Sequence, residues 1–253
     1  MRDLPKVSPY LHVPAQSGSN AILERMKRGY TVESYREMLA LIREILPHAA
    51  VTSDFIVGFC GETDDDFRQT AELVRDARFK NSFIFKYSGR PGTKAAELYE
   101  DDISEAIKRR RNNELLAIQD AISLEDNQPF LGRTVEILVE GPSKVAKKRG
   151  RRKAAEDDAG SGPHPNPLPK GEGTVSSDAL AKGGRRKAAE DDVGSGPHPN
   201  PLPKGEGTAQ LVGRTTCDRI VVFEGSVELI GRIMPVTIER IDAFTLFGRN
   251  DAE

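Results

Sequence analysis

The sequence predicts an α/β section of parallel strands and crossover helices, followed by a small all-β barrel that a disordered repeat insertion interrupts. Three patterns point there. Up to about Asn127, apolar runs of strand length alternate with apolar stripes at helical spacing, the mark of successive βα units. Beyond Pro129 the period drops to two, in segments bounded by glycine such as TVEILVEGPS and GRTTCDRIVVFEG. Between those two segments, a stretch beginning at Gly150 recurs at Gly184 with one change, Ala159 against Val193.

The α/β section opens on the strand YLHVP, and a helix follows from Asn20 until Gly29 stops it. Thr31 is placed to cap a second helix, in which Val32, Tyr35, Met38, Leu39, Ile42 and Leu46 share a face before Pro47. AVTSDFIVGF reads as a buried strand running into a glycine loop. Thr63 then caps a helix with an acidic first turn and the stripe Phe67, Ala71, Val74. SFIFKY is the next strand; the RPGT turn from Arg90 to Thr93 breaks it, and a long helix from Ser104 to about Gln128 closes residues 1–127. Residues 128–250 carry the short alternating strands, ending in LIGRIMPVTIERI and FTLFG, with residues 145–209 as the insertion.

A repeat period in the thirties can mark a solenoid, but these units lack apolar positions to bury against their neighbours. Their Pro, Gly, RRK and EDD blocks predict solvated coil, tolerated between two strands because loop closure costs only a logarithmic term. The 253 residues carry a formal net charge of −2, so affinity for nucleic acid has to come from a local basic patch. Cys60 and Cys217 are the two cysteines, too far apart for a metal-ligand motif or a disulfide framework. No stretch reaches the roughly 20 apolar residues of a membrane helix, and a cytoplasmic monomer is the expectation.

Two corners are candidate binding elements. In PAQSGSNAILERMKRGYT, Ser17, Gly18 and Ser19 lie between a strand end and a helix N-terminus, where N–H groups and the helix dipole can hold an anionic or hydroxyl group. Capping and turn chemistry account for the same residues. In SDFIVGFCGET, Gly58 and Gly61 would let backbone approach a flat ligand, and Asp54 or Glu62 could accept from it. Two such corners on neighbouring parallel strands suggest a site at their C-terminal edge. His12 is either a core histidine or a substrate contact. Lys86 and Arg90 either face the mouth of the strands or belong to strand and turn packing.

LHVPAQSGSN, MKRGYT, SDFIVGFCGET, FIFKYSGRPGTKAAE, LVEGPSK and GRTTCDRIVVFEG follow one another in the order found in the bacterial tRNA methylthiotransferases. The chain resembles that radical S-adenosylmethionine family over nearly all its length outside the insertion. The resemblance implies the second half of a radical SAM (βα) barrel in residues 1–127 and a tRNA-gripping TRAM barrel in residues 128–250. It implies methylthiolation at C2 of N6-isopentenyladenosine beside the anticodon, with S-adenosylmethionine and two 4Fe–4S clusters as the full-length family's cofactors.

Carried onto this sequence, the resemblance places S-adenosylmethionine near Gln16, Ser17, Ser19, Asp54, Ile56, Gly58 and Glu62, and the substrate pocket at Lys86 and Arg90. Arg133, Lys144, Arg214 and Arg219 are the cations placed to meet tRNA phosphates. The family's CxxxCxxC motif is absent, and Cys60 stands where the family usually has proline. The expectation is therefore a truncated chain, inactive alone, with no metal ligands of its own and with a separate N-terminal fragment as a conceivable partner. Two other readings stay open: a non-catalytic RNA-binding fragment, and the related ribosomal-protein methylthiotransferase, against which LHVPAQSGSN and RPGT speak.

Overall fold

The computed structural model describes residues 1–4, 6–143 and 209–250. Strands β1 (Tyr10–His12), β2 (Ala50–Val57) and β3 (Asn81–Lys86) form a parallel sheet in the order β1-β2-β3. Helices α1 (Asn20–Arg25) and α2 (Val32–Ile45) connect the first pair, and α3 (Asp64–Ala77) connects the second. After β3 come α4 (Lys94–Leu98) and the long α5 (Glu105–Asn127).

The sheet has two unlike faces. Phe55 and Val57 of β2 pack with Tyr35 and Leu39 of α2, Phe67 and Val74 of α3, and Leu115 and Ile122 of α5 in one apolar core. On the opposite face Asp54 pairs in register with Phe83, and Ile56 with Phe85. Those two phenylalanines are 52% and 53% exposed. Burying one face and leaving the other open is unusual for parallel strands, which ordinarily carry apolar cover on both sides.

The two expected caps, Thr31 and Thr63, are present, each closing a capping box, with Ser34 and Asp66 respectively, and the structure adds one at Ser104 for α5. One boundary differs: α1 ends at Arg25, short of Gly29. Lys27 takes the left-handed seat at φ 58°, while the N–H groups of Lys27 and Arg28 donate to the carbonyls of Glu24 and Leu23. That is a Schellman closure with lysine where glycine is usual, at a cost of about 1–2 kcal/mol. Helix α4 follows the RPGT turn, in a stretch to which the sequence reading assigned no element.

Strands β4 (Thr134–Pro142), β5 (Ala209–Thr215), β6 (Ile220–Gly225), β7 (Ile233–Ile241) and β8 (Thr245–Arg249) close into a barrel in the order β4-β5-β6-β8-β7. Ile137, Leu211, Val221, Val236, Ile238 and Leu246 fill it. Closure leaves no free edge. Pro142 pairs with Leu211 across β4 and β5, so the intervening segment joins two neighbouring strand ends. Ala209 opens β5 and therefore belongs to the barrel, whereas the sequence reading placed it in the insertion. Residues 145–208, on which the expectation of disorder falls, lie outside the described residues.

Polar contacts tie the barrel to the α/β section. Lys80 meets Asp218 at 2.9 Å, Arg219 donates to the Asn127 side chain at 3.0 Å, and Asn127 donates to the Asp242 carbonyl at 2.8 Å.

Candidate functional site

The strand-edge corners are held from within. Ser19 caps α1 and its hydroxyl donates to Asp66 at 2.5 Å; the Ser17 hydroxyl lies 3.3 Å from that of Thr70, which also accepts from the Gly18 N–H at 2.9 Å. A Cβ on Gly18 would sit 2.5 Å from the Thr70 Cα, so glycine lets α3 close on this corner. Burial opposes ionisation of Asp66, but hydrogen bonds from Ser19 and Thr63 keep its carboxyl below the usual range.

The second corner is built the same way. Gly58, at φ 71°, donates its N–H to Glu62 at 2.6 Å, and Arg111 of α5 donates to the same carboxylate oxygen at 2.7 Å. The Arg111 and Glu62 side chains are 3% and 1% exposed. Burial pushes the Glu62 carboxyl up, against the pull of the Gly58 N–H and Arg111. A Cβ on Gly58 would stand 2.4 Å from the Lys108 Cγ, so this glycine makes room for α5. Ser17, Ser19 and Gly58 thus spend their polar groups inside the protein, as does Glu62 through Oε2, while its buried Oε1 has no hydrogen-bond partner among the described residues.

The other three expected cofactor contacts point elsewhere. Gln16, at φ 66°, extends the sheet through backbone bonds to Asp54 and Ile56. Asp54 and Ile56 lie on the open face. There His12 reaches Asp54 at 3.4 Å through Nε2 and Thr52 at 3.0 Å through Nδ1. The structure therefore gathers His12, Asp54, Ile56 and Phe85 at the exposed side of the strands and puts the serines and Glu62 behind it.

A cleft of about 620 Å³ opens at the C-terminal ends of β2 and β3. Arg25, Lys27, Arg28, Lys86, Arg90 and Lys94 line it, with Phe85, Tyr87 and Tyr99, and no carboxylate is among its described lining residues. Lys86 pairs with Glu105 of α5, while Arg90 is exposed and free of ion pairs among the described residues. In the cleft wall Phe59 meets Tyr87 edge-on at 4.8 Å, and burial, with the Cys60 thiol beside it, pushes the Tyr87 hydroxyl up to about 12.

Of the cations expected to meet RNA, Arg133 is exposed and carries no ion pair among the described residues. Arg214 is engaged by Asp218 at 2.6 Å and Glu140 at 3.1 Å. Arg219 donates to Asn127 and lies 4.5 Å from the Phe130 ring centroid. Lys144 lies outside the described residues. Sequence reasoning missed Arg111 and Lys108. Their signal was present: the spacing Lys108, Arg111, Leu115, Ile122 puts two cations on the apolar stripe of α5, where a charge needs a buried partner.

Among the described residues no group of three or more His, Cys, Asp or Glu side chains is arranged to hold a metal ion. Residues 1–74 match the radical SAM superfamily and residues 204–250 match the TRAM domain, so radical SAM and TRAM matches follow one another in the chain. The tRNA-2-methylthio-N(6)-dimethylallyladenosine synthase of Rhodopirellula baltica is 48% identical over 249 residues, 98% of this chain and 41% of the relative. The synthase of the same name from Pelotomaculum thermopropionicum is 48% identical over 136 residues, 54% of this chain and 30% of the relative. That from Methylacidiphilum infernorum is 46% identical over 153 residues, 60% of this chain and 32% of the relative. The chain is similar to these synthases and spans less than half of the length of each.

Proposed function

We propose that these residues are part of an RNA-modifying radical SAM protein that methylthiolates C2 of an isopentenylated adenine in tRNA. The observation that carries this reading is the joining of an open-faced parallel sheet to a closed TRAM barrel in a chain 48% identical to a synthase of that name. In this reading the three strands are an arc of a (βα) barrel, and their open face is its interior.

Gln16, Asp54 and Ile56 fit S-adenosylmethionine: a half-exposed carboxylate beside an apolar side chain suits a nucleoside with amine and hydroxyl donors. That cofactor, when bound, would supply radical chemistry only with an electron from a reductant held outside these residues. Asp54 accepts from the ligand, His12 orients Asp54, and the Glu62–Arg111 pair holds the Gly58 loop beneath it. The clusters do not fit. Cys60 is buried and Cys217 lies in the barrel, so these 253 residues hold no set of cluster thiolates. Cluster chemistry would draw its ligands from outside them. Of the other readings, the absent thiolates favour RNA binding without chemistry for these residues by themselves, whereas no observation favours the ribosomal-protein enzyme.

Deleting the gene and measuring tRNA nucleosides by mass spectrometry tests the proposal. Loss of the 2-methylthio group with the isopentenyl group retained is expected; an unchanged nucleoside profile would overturn it. For the chain by itself, reconstitution with iron and sulfide should give neither cluster absorption nor 5′-deoxyadenosine.

A further inference from the structure

We infer that the barrel is an arm that swings on the link between Asn127 and Gly132 and is held at rest by an ion latch, in which Asp218 of the β5–β6 turn receives Lys80 from beside the start of β3. The inference goes beyond the reading given above and holds whatever substrate the chain handles.

Four observations carry it. The two apolar cores share no residue: Phe55, Leu115 and Ile122 belong to one, Ile137, Val236 and Leu246 to the other. Parts joined without a common apolar core move against one another by default. The chain crosses between them once among the described residues, just past Asn127. There Pro129 lacks the N–H that would continue α5, and Gly132, at φ 75°, has open space around it. The seam is also loosely filled. A cavity of about 310 Å³ is lined by Tyr10 and Phe83 of the sheet and by Ile220 and Phe244 of the barrel, and both phenylalanines stay half-exposed. The polar bonds across the seam gather at two places. Asn127, at the link itself, donates to the Asp242 and Ala243 carbonyls and accepts from Arg219, contacts that lie at the pivot. At the Thr216–Arg219 turn, Ser8 donates to the Thr216 carbonyl and Lys80 meets the Asp218 carboxylate at 2.9 Å.

Asp218 suits a latch. It sits at φ 63°, a left-handed seat that Gly, Asn and Asp take most readily, and of these only Asp carries charge. Its two oxygens are divided, Oδ1 to Arg214 of β5 at 2.6 Å and Oδ2 to Lys80. Lys80 is fixed from its own side: its N–H donates to the Val51 carbonyl, its carbonyl accepts from Ser123, and its ammonium lies 5.4 Å from the Tyr10 ring centroid. At 17% and 28% exposed, the Lys80 and Asp218 side chains keep an attraction that a fully hydrated surface pair loses to water. Burial opposes ionisation of Asp218, yet Lys80 and Arg214 hold its carboxyl below the usual range. The swing so restrained would widen or narrow the approach between the barrel and the open sheet face at Phe83.

Residual dipolar couplings of the backbone amides in the full chain test this, because they report whether two folded parts share one orientation. In the parent a single alignment tensor should fit β2, α2, α3 and α5 together with β4 to β8. Asp218→Asn, which keeps the left-handed seat but not the charge, should shrink the barrel's couplings by about a third to a half relative to those of the α/β section. Lys80→Met, which keeps the apolar stem, should do the same. Arg214→Met removes the cation that Asp218 meets on the barrel's own side and should leave the common fit intact. Amide shifts inside each core, unchanged from the parent, check that the variants fold; Asp218→Asn, in a partly exposed turn, carries the test if Lys80→Met does not. Undiminished couplings on a single tensor in Asp218→Asn would mean that other contacts fix the barrel, and the latch is then wrong. Barrel couplings already diminished in the parent would overturn the closed resting state. If Arg214→Met loosens the barrel as far as Asp218→Asn does, the turn's own shape holds it rather than the ion pair across the seam, which overturns the latch as well.

Discussion

The two closed cores of this protein are built from different materials. The barrel's interior is aliphatic and aromatic, with Leu211, Val221, Val236 and Ile238 fully buried. The α/β core adds buried charge at its upper edge: Glu62, Asp66, Lys108 and Arg111 are all at most 9% exposed. Apolar packing suffices where strands close on themselves. At the strand edge, loops must stand still beside a surface that stays open, and directional bonds do what non-directional burial cannot.

This contrast can be broken first at Arg111. Arg111→Ala leaves Glu62 buried without its cation and should cost about 3–5 kcal/mol, read from urea unfolding. A loss under about 1 kcal/mol would mean the pair does not hold the corner. Leu211→Ala in the barrel should cost about 3 kcal/mol through cavity formation. Hydrogen exchange sharpens the comparison: Leu211→Ala should loosen β4 to β8 before α3, and Arg111→Ala the reverse.

Asp66→Asn should cost about 1–2 kcal/mol, because it removes a cap at Thr63 and a charged acceptor from Ser19. Its pH dependence has a definite sign. The folded carboxyl sits below its unfolded value of about 3.9, so its contribution is complete above that pH and is lost as pH falls through the folded value. The gap between Asp66→Asn and the parent should therefore narrow in acid below about pH 4. Arg214→Ala, at a half-exposed pair, should cost under about 1 kcal/mol.

Strand and helix periods, the Thr31 and Thr63 caps and the switch to period two were legible because each is a local property of the chain. The end of α1 was not: a glycine two residues on is a stronger sequence signal than a lysine accepting positive φ. Helix α4 was missed because five residues after a Pro-Gly turn carry too little periodicity to register. The strand-edge corners were located, but sequence could not tell which of their polar groups face outward. Ser17, Ser19 and Glu62 find Thr70, Asp66 and Arg111, the last two at sequence separations of 47 and 49 residues. Asp54 and Ile56 stay on the open side because strand alternation puts them opposite Phe55 and Val57.

The claim that the two cores close separately and meet through a polar latch is tested most directly by hydrogen–deuterium exchange of the full chain beside Asp218→Asn. Faster exchange at the barrel turn, residues 215–220, and at residues 79–82, with the strand-edge corners and the barrel interior unchanged, is the expected result. Loosening that spreads through both cores, or a turn that exchanges as in the parent, would contradict it.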